Sequence, residues 1–171
     1  MRAWRWSRTL ASLLAFLLLC ALVDLALVAE ASAASTGTTP RFVSLRADKV
    51  NVRVGPGVRY PIAWVFVRRE LPVEVTAEFD LWRKIRDIDG AEGWVHARML
   101  SGRRSAVVTG GVRALRRAPE AASAAVAQAE SGVVVKLLRC AGAWCEVAAA
   151  DIQGWTRRAH LWGVYPEERV R

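Results

Sequence analysis

The second half of this chain repeats the first. Trp82 opens WRKIRD and is followed by Gly93-Trp94-Val95; Trp144 opens WCEVAAAD and is followed, at nearly the same spacing, by Gly154-Trp155-Thr156. Counting back from these tryptophans, Val73 aligns with Val135 and Trp64 with Val126. Further back, Asn51-Val52-Arg53 aligns with Ala114-Leu115-Arg116 and, with a one-residue deletion between these blocks, Pro56 with Pro119. A period of this length means two copies of one small structural unit. Within the first copy, VNVRV, PVEVTAEF and LWRKIRDI alternate apolar and polar residues, AWVFV is a longer apolar run, and GWVHARML closes the series. Such runs, broken by glycine, proline and charged turns, read as five short strands of an all-β barrel or sandwich. No stretch before Arg113 has helical periodicity. The alanine-rich segment from Ala121 to Ala129 has helical propensity, yet the repeat alignment assigns it a loop and a strand.

The first residues read as a leader. Arg2, Arg5 and Arg8 precede a largely apolar run from Leu10 to Val23, and Ala31-Ser32-Ala33 offers the small-x-small pattern of a signal-peptidase site. The expected organisation is a signal peptide at 1–33, a disordered segment at 34–40, one barrel at 41–100, a linker at 101–111, and a second barrel with a tail at 112–171. The apolar run falls short of the roughly 20 residues of a spanning helix, and a membrane anchor is the reading only if the leader stays uncleaved. Lipidation at Cys20 is rejected, because Leu19 stands where a small residue is required. The chain carries a formal charge of +9, and losing the leader's three arginines and two acids leaves +8. A basic exported protein meets anionic envelope polymers readily, while the bland reading of the charge is solubility. Export removes nucleic acid from the partner classes.

Export also decides what the cysteines do. Cys140 and Cys145 remain after cleavage, an even pair in an oxidising compartment, with Gly142 between them to make a turn. Facing each other across a hairpin, they meet the Cα spacing of a disulfide, which pins a register more than it holds a domain. As metal ligands they are two short of a tetrahedron, so neither a metal site nor a cofactor is expected.

VNVRVGPGVRYPIAWVFV, LPVEVTAEFDLWRKIRDIDGAEGWVHARMLSGRR, CAGAWCEV and LWGVYPEE together resemble the bacterial Src-homology-3-like (SH3-like, or SH3b) domain family. More narrowly, they are similar to its exported tandem type of alphaproteobacteria. The resemblance runs from Arg41 to Glu168 and implies two tandem five-stranded SH3-like barrels with a binding or targeting role and no catalysis. It departs from the family pattern at Glu70, where a turn glycine is usual, and at Pro166-Glu167-Glu168. The second copy also lacks the counterparts of Asn51, Gly55 and Gly57.

An enzyme is not expected. His96 and His160 fall at different places in the repeat, both exported cysteines serve the disulfide, and neither a Gly-x-Ser-x-Gly elbow nor a His-Glu-x-x-His helix is present. Asp87, Asp89 and Glu92 lack the remaining oxygen ligands of a calcium loop, and Asp89-Gly90 reads as a hairpin turn. Trp82, Trp94, Trp144 and Trp155 recur at equivalent positions and are assigned structural roles. Trp64 and Tyr60 have no counterpart in the second copy. With Arg53 and Arg59 they are the candidate ligand-binding residues, beside a Gly55-Pro56-Gly57 corner whose glycines are expected to supply positive φ. The expected ligand is peptidoglycan or a peptide of an envelope protein. The alternatives are an interaction or structural scaffold with no glycan ligand and, more distantly, an accessory subunit of a cell-wall hydrolase. A periplasmic or secreted location follows from the leader.

Overall fold

A computed structural model of the chain describes residues 39–170. The leader and the start of the segment at 34–40 lie outside the described residues. Each repeat is an antiparallel sheet of seven strands, two more than the five expected. The first comprises β1 (Arg41–Leu45), β2 (Val50–Arg53), β3 (Ile62–Phe66), β4 (Pro72–Phe79), β5 (Trp82–Arg86), β6 (Glu92–His96) and β7 (Leu100–Ser101), in the order β3-β2-β6-β5-β4-β1-β7. The second comprises β8 (Ser105–Val108), β9 (Arg113–Arg116), β10 (Ala125–Ala129), β11 (Val134–Ala141), β12 (Trp144–Ala149), β13 (Ile152–Arg157) and β14 (Leu161–Trp162). Its order, β10-β9-β13-β12-β11-β8-β14, repeats the first strand for strand. A 3-10 turn precedes the last strand of each sheet, Ala97–Met99 in one and Arg158–His160 in the other.

The alternation seen in the sequence is what makes the cores, because every second side chain of a strand points to one face. Val50, Val52, Val73, Val75, Ile85 and Val95 are fully buried in the first sheet, joined by Leu45 and Leu100. The second core gathers Val108, Leu115, Val135, Leu137, Val147 and Leu161, and it also takes Val164 and Val170 from the C-terminal segment. The stretch at 101–111, expected as linker, contains β8, which is buried along its whole length between β11 and β14. Its SAVV is too short and too evenly apolar to show alternation. Ala125–Ala129 is a strand, as the repeat requires. Strand pairing places Ala127 opposite Leu115, as Trp64 lies opposite Val52, so Trp64 aligns with Ala127, one residue beyond the Val126 given by counting.

The two repeats share a packed joint. Phe42 of β1 stacks edge-on against Trp162, with ring centroids 5.1 Å apart, and lies 4.7 Å from the ring of Tyr165. Ser44 and Ser105 approach to 2.5 Å between hydroxyl oxygens, and their hydrogens are shared with the carbonyls of Arg103 (2.7 Å) and Glu70 (2.6 Å). Glu74 of β4 is only 5% exposed. The Tyr165 hydroxyl donates to one of its oxygens at 2.6 Å, and Arg86 Nε donates to the other at 2.9 Å. A charge so buried persists only because both oxygens are satisfied. A Cβ on Gly163 would lie 2.7 Å from the Ser105 carbonyl within the second repeat and 3.2 Å from Pro72 across the joint, so no side chain fits at that point.

Candidate functional site

The expected site lies where β2 leaves the first sheet. Arg53 closes β2 and its Nη1 donates to the Tyr60 carbonyl at 2.6 Å, which folds the Gly55-Pro56-Gly57 corner back on itself. The Tyr60 ring lies directly on Gly55: a Cβ there would stand 2.6 Å from the ring. Neither Gly55 nor Gly57 adopts positive φ, so the expectation of a left-handed corner is corrected. Glycine is required at 55 because an aromatic face occupies the space a side chain would fill. Arg59 is exposed, with its guanidinium 5.1 Å from the Tyr60 ring centroid and Nη2 3.3 Å from the hydroxyl. Arg53, Arg59 and Tyr60 thus form one corner. Trp64 turns away from it, edge-on to Phe66 at 6.1 Å and packed against the first core over Gly93.

The second repeat shows what in this corner is scaffold. Arg116 Nη1 donates to the Ser123 carbonyl at 2.6 Å, the counterpart of the Arg53 brace. Arg53 and Arg116 both pair across to the tryptophan of the Gly-Trp motif, Trp94 and Trp155. Ser123 stands where Tyr60 does, and its hydroxyl accepts from the Ala118 amide at 2.9 Å, holding the corner with no aromatic ring and no glycine. Recurrence at 53 and 116 was the available sign that Arg53 is a brace. What remains free on the first corner is the exposed rim of Arg59 and the Tyr60 ring.

The other candidates resolve locally. Asp87 Oδ1 accepts from the amides of Asp89 (3.1 Å) and Ala91 (2.8 Å), and Gly90 has φ +85°, so this acidic stretch is a turn. Glu92 pairs with Lys84 at 2.5 Å. His96 caps the first 3-10 turn by accepting from the Arg98 amide, while His160 ends the second, so the two histidines are not equivalent. Trp155 is buried under Arg139, and Trp82, Trp94 and Trp144 are half-buried around the cores. Cys140 and Cys145 are bonded, with Cα atoms 4.1 Å apart on facing strands. The Cys140 amide points outward and donates to the Val170 carbonyl at 3.1 Å, which seats the C-terminal segment on the disulfide hairpin.

At the end of β13 Arg157 is exposed, while Arg158, the first residue of the 3-10 turn, is buried. Arg158 donates to the carbonyls of Gly142, Tyr165 and Glu168 and forms a wall of a cavity of about 920 Å³ beneath the C-terminal segment. Arg104 pairs with Glu168. Burial raises the Glu168 carboxyl, and hydrogen bonds from Arg104 and the Tyr165 amide outweigh that and hold it below the ordinary range. A smaller groove of about 210 Å³ opens beside the corner of the second repeat. Its cationic residues come from distant stretches of sequence and were not among the expected site residues.

A family model described as the bacterial SH3 domain matches this chain twice, over residues 46–102 and 111–163. No curated protein sequence matches significantly. Among solved structures, NlpC1 from Trichomonas vaginalis is similar over 76% of this chain and 48% of its own, at 13% identity and a TM-score of 0.34. NlpC2 from the same organism is similar over 74% of this chain and 49% of its own, at 11% identity and a TM-score of 0.34. The chain therefore spans about half the length of these structures.

Proposed function

We propose that this chain, which belongs to the bacterial SH3 domain family, is a non-catalytic binding protein of the cell envelope that holds peptidoglycan or a peptide of an envelope partner. The observation that carries this reading is the doubling: two copies of the bacterial SH3 domain with the same strand order in one chain. The Cys140–Cys145 disulfide supports a periplasmic or secreted location, where such a bond persists. On the first repeat the exposed Arg59 and the Tyr60 face offer a cation beside an aromatic platform, a combination suited to a polar polymer.

Cosedimentation with purified murein sacculi tests the reading. Retention that survives raised salt supports peptidoglycan as the ligand, because a purely electrostatic contact is screened. Absence of retention at low salt overturns that ligand. Tyr60→Ala, verified as folded by circular dichroism, lowers retention if the first corner takes part.

A second reading is favoured by the joint. Phe42, Glu74 and Ser44 join the two repeats, which suits a scaffold that presents two surfaces to a protein partner without a glycan ligand. The sacculus experiment separates the two readings.

A further inference from the structure

We propose that the second repeat carries an anion site, in the groove between β9 and the 3-10 turn that follows β13, which takes the free carboxylate of a short peptide. Arg113 and Arg116 of β9, Arg157 at the end of β13 and His160 line this groove together with Trp144. No carboxylate lines it, and among the described residues none of the three arginines enters an ion pair. Each guanidinium is nevertheless held. Arg113 Nε donates to the Thr109 carbonyl at 3.0 Å, Arg116 Nη1 donates to the Ser123 carbonyl at 2.6 Å, and Arg157 lies 4.4 Å over the Trp144 ring. A guanidinium has five N–H donors. These anchors use few of them, so donors remain for a carboxylate on three guanidinium groups whose positions are already held.

The fold does not need this charge. By strand pairing, Arg113 stands where the first repeat has Val50, and the 3-10 turns place His160 at Met99 and Arg157 at His96. Val50 is a fully buried core residue of the first sheet, and the same architecture closes around it. Thr156, on the floor of the groove, replaces core residue Val95 and buries a hydroxyl that has no partner. Three departures from an apolar solution, Arg113 for Val50, Thr156 for Val95 and His160 for Met99, line one groove and mark a place adapted for something other than stability. The positive potential is also felt by its own members. Burial, followed by the charges of Arg113 and Arg157, holds the His160 imidazole below its ordinary pKa.

Size and lining select the ligand. A volume of about 210 Å³, open to solvent on one side, gives room for a carboxylate and one small side chain. Val112, Ala114 and Ala121 supply small apolar walls beside Trp144, which suit a peptide end better than a phosphate ester. The proposal rests on the envelope-binding reading only for the source of the peptide; the site itself stands without it.

The test follows the His160 and His96 ring protons by NMR in the full chain as pH is varied. The probes are N-acetyl-alanyl-alanine as free acid, the same dipeptide as its C-terminal amide, and inorganic phosphate. The acid raises the His160 pKa by about one unit, as an anion within reach of the ring does, and leaves His96 unmoved. The amide has no effect, and Arg157→Gln abolishes the response while leaving the remaining amide spectrum folded. No shift with the acid at millimolar concentration overturns the site, as does an equal shift with the amide. A shift from phosphate that equals or exceeds that of the acid overturns the peptide assignment. A positive result here with no sacculus retention leaves the site standing and removes peptidoglycan as its source.

Discussion

One rung before the turn of the longest hairpin, the first repeat pairs Glu78 with Arg83 and the second pairs Cys140 with Cys145. The rung, the register and the neighbouring tryptophan are the same. In the first repeat Arg83 meets the Glu78 carboxylate at 3.4 Å, and Arg41 approaches its other oxygen at 2.6 Å. In the second the rung is covalent. The difference follows from what else hangs on it. The second hairpin also seats the C-terminal segment through Cys140 and Val170, and that segment supplies Val164 and Val170 to the core. A slip at this rung would open the second core; the first core does not depend on its hairpin tip in that way. One repeat keeps its register by reversible charge, the other by a bond that only a reductant opens.

The comparison can be broken at several points. The largest effect is expected at Gly163, which has φ +117° and no room for a Cβ, against its counterpart Gly102, where a Cβ meets nothing within 4 Å. Gly163→Val costs about 3 kcal/mol or more in denaturant unfolding, and Gly102→Val less than about 0.5 kcal/mol. Equal costs would mean that close packing around Gly163 is not what distinguishes the two turns. Next, replacing Cys140 and Cys145 by serine costs about 2 kcal/mol and raises hydrogen exchange at the Cys140 amide. Arg83→Ala, at the corresponding rung, costs about 1 kcal/mol or less, because Arg41 still holds the Glu78 carboxylate. A reductant that destabilises the chain no more than Arg83→Ala does would erase the distinction.

Tyr165→Phe removes the hydroxyl that reaches Glu74 and costs about 1.5 kcal/mol. Burial, followed by the Glu74 hydrogen bond, raises the Tyr165 pKa above its ordinary value of 10.0. The contribution of this group is therefore complete below pH 10.0 and declines as pH rises beyond it, since the unfolded chain releases the proton first. The phenylalanine variant loses less stability between neutral and strongly alkaline pH than the parent; identical slopes would refute the assignment. The smallest effect is a gain. Glu70 holds φ +62° at the turn where the second repeat has Gly132 at φ +88°. Glu70→Gly relieves that conformation and stabilises by about 0.5–1 kcal/mol, measured as a shift in the denaturant midpoint.

What was legible in the sequence is what depends on neighbours along the chain. Alternation gave most of the strands, Asp89-Gly90 gave its turn, and the recurring tryptophans gave the repeat. The alignment overruled the helical propensity of Ala121–Ala129, because two copies of one unit must fold alike. What stayed hidden depends on approach through space. Gly55 looked like a left-handed residue, and only the Tyr60 ring above it gives the actual reason. Ser105–Val108 looked like linker because its burial comes from β11 and β14, both distant in sequence. Arg113, Arg157 and His160 carry no motif; they become neighbours only where β9 and β13 run side by side.

Duplication ordinarily leaves one copy free to decay while the other keeps the work. Here Phe42, Ser44 and Glu74 of one repeat are closed by Trp162, Ser105 and Tyr165 of the other, so each copy is the missing wall of its twin. Deleting either repeat uncovers a buried carboxylate or a row of aromatic rings. The two copies are therefore free to specialise and not free to separate.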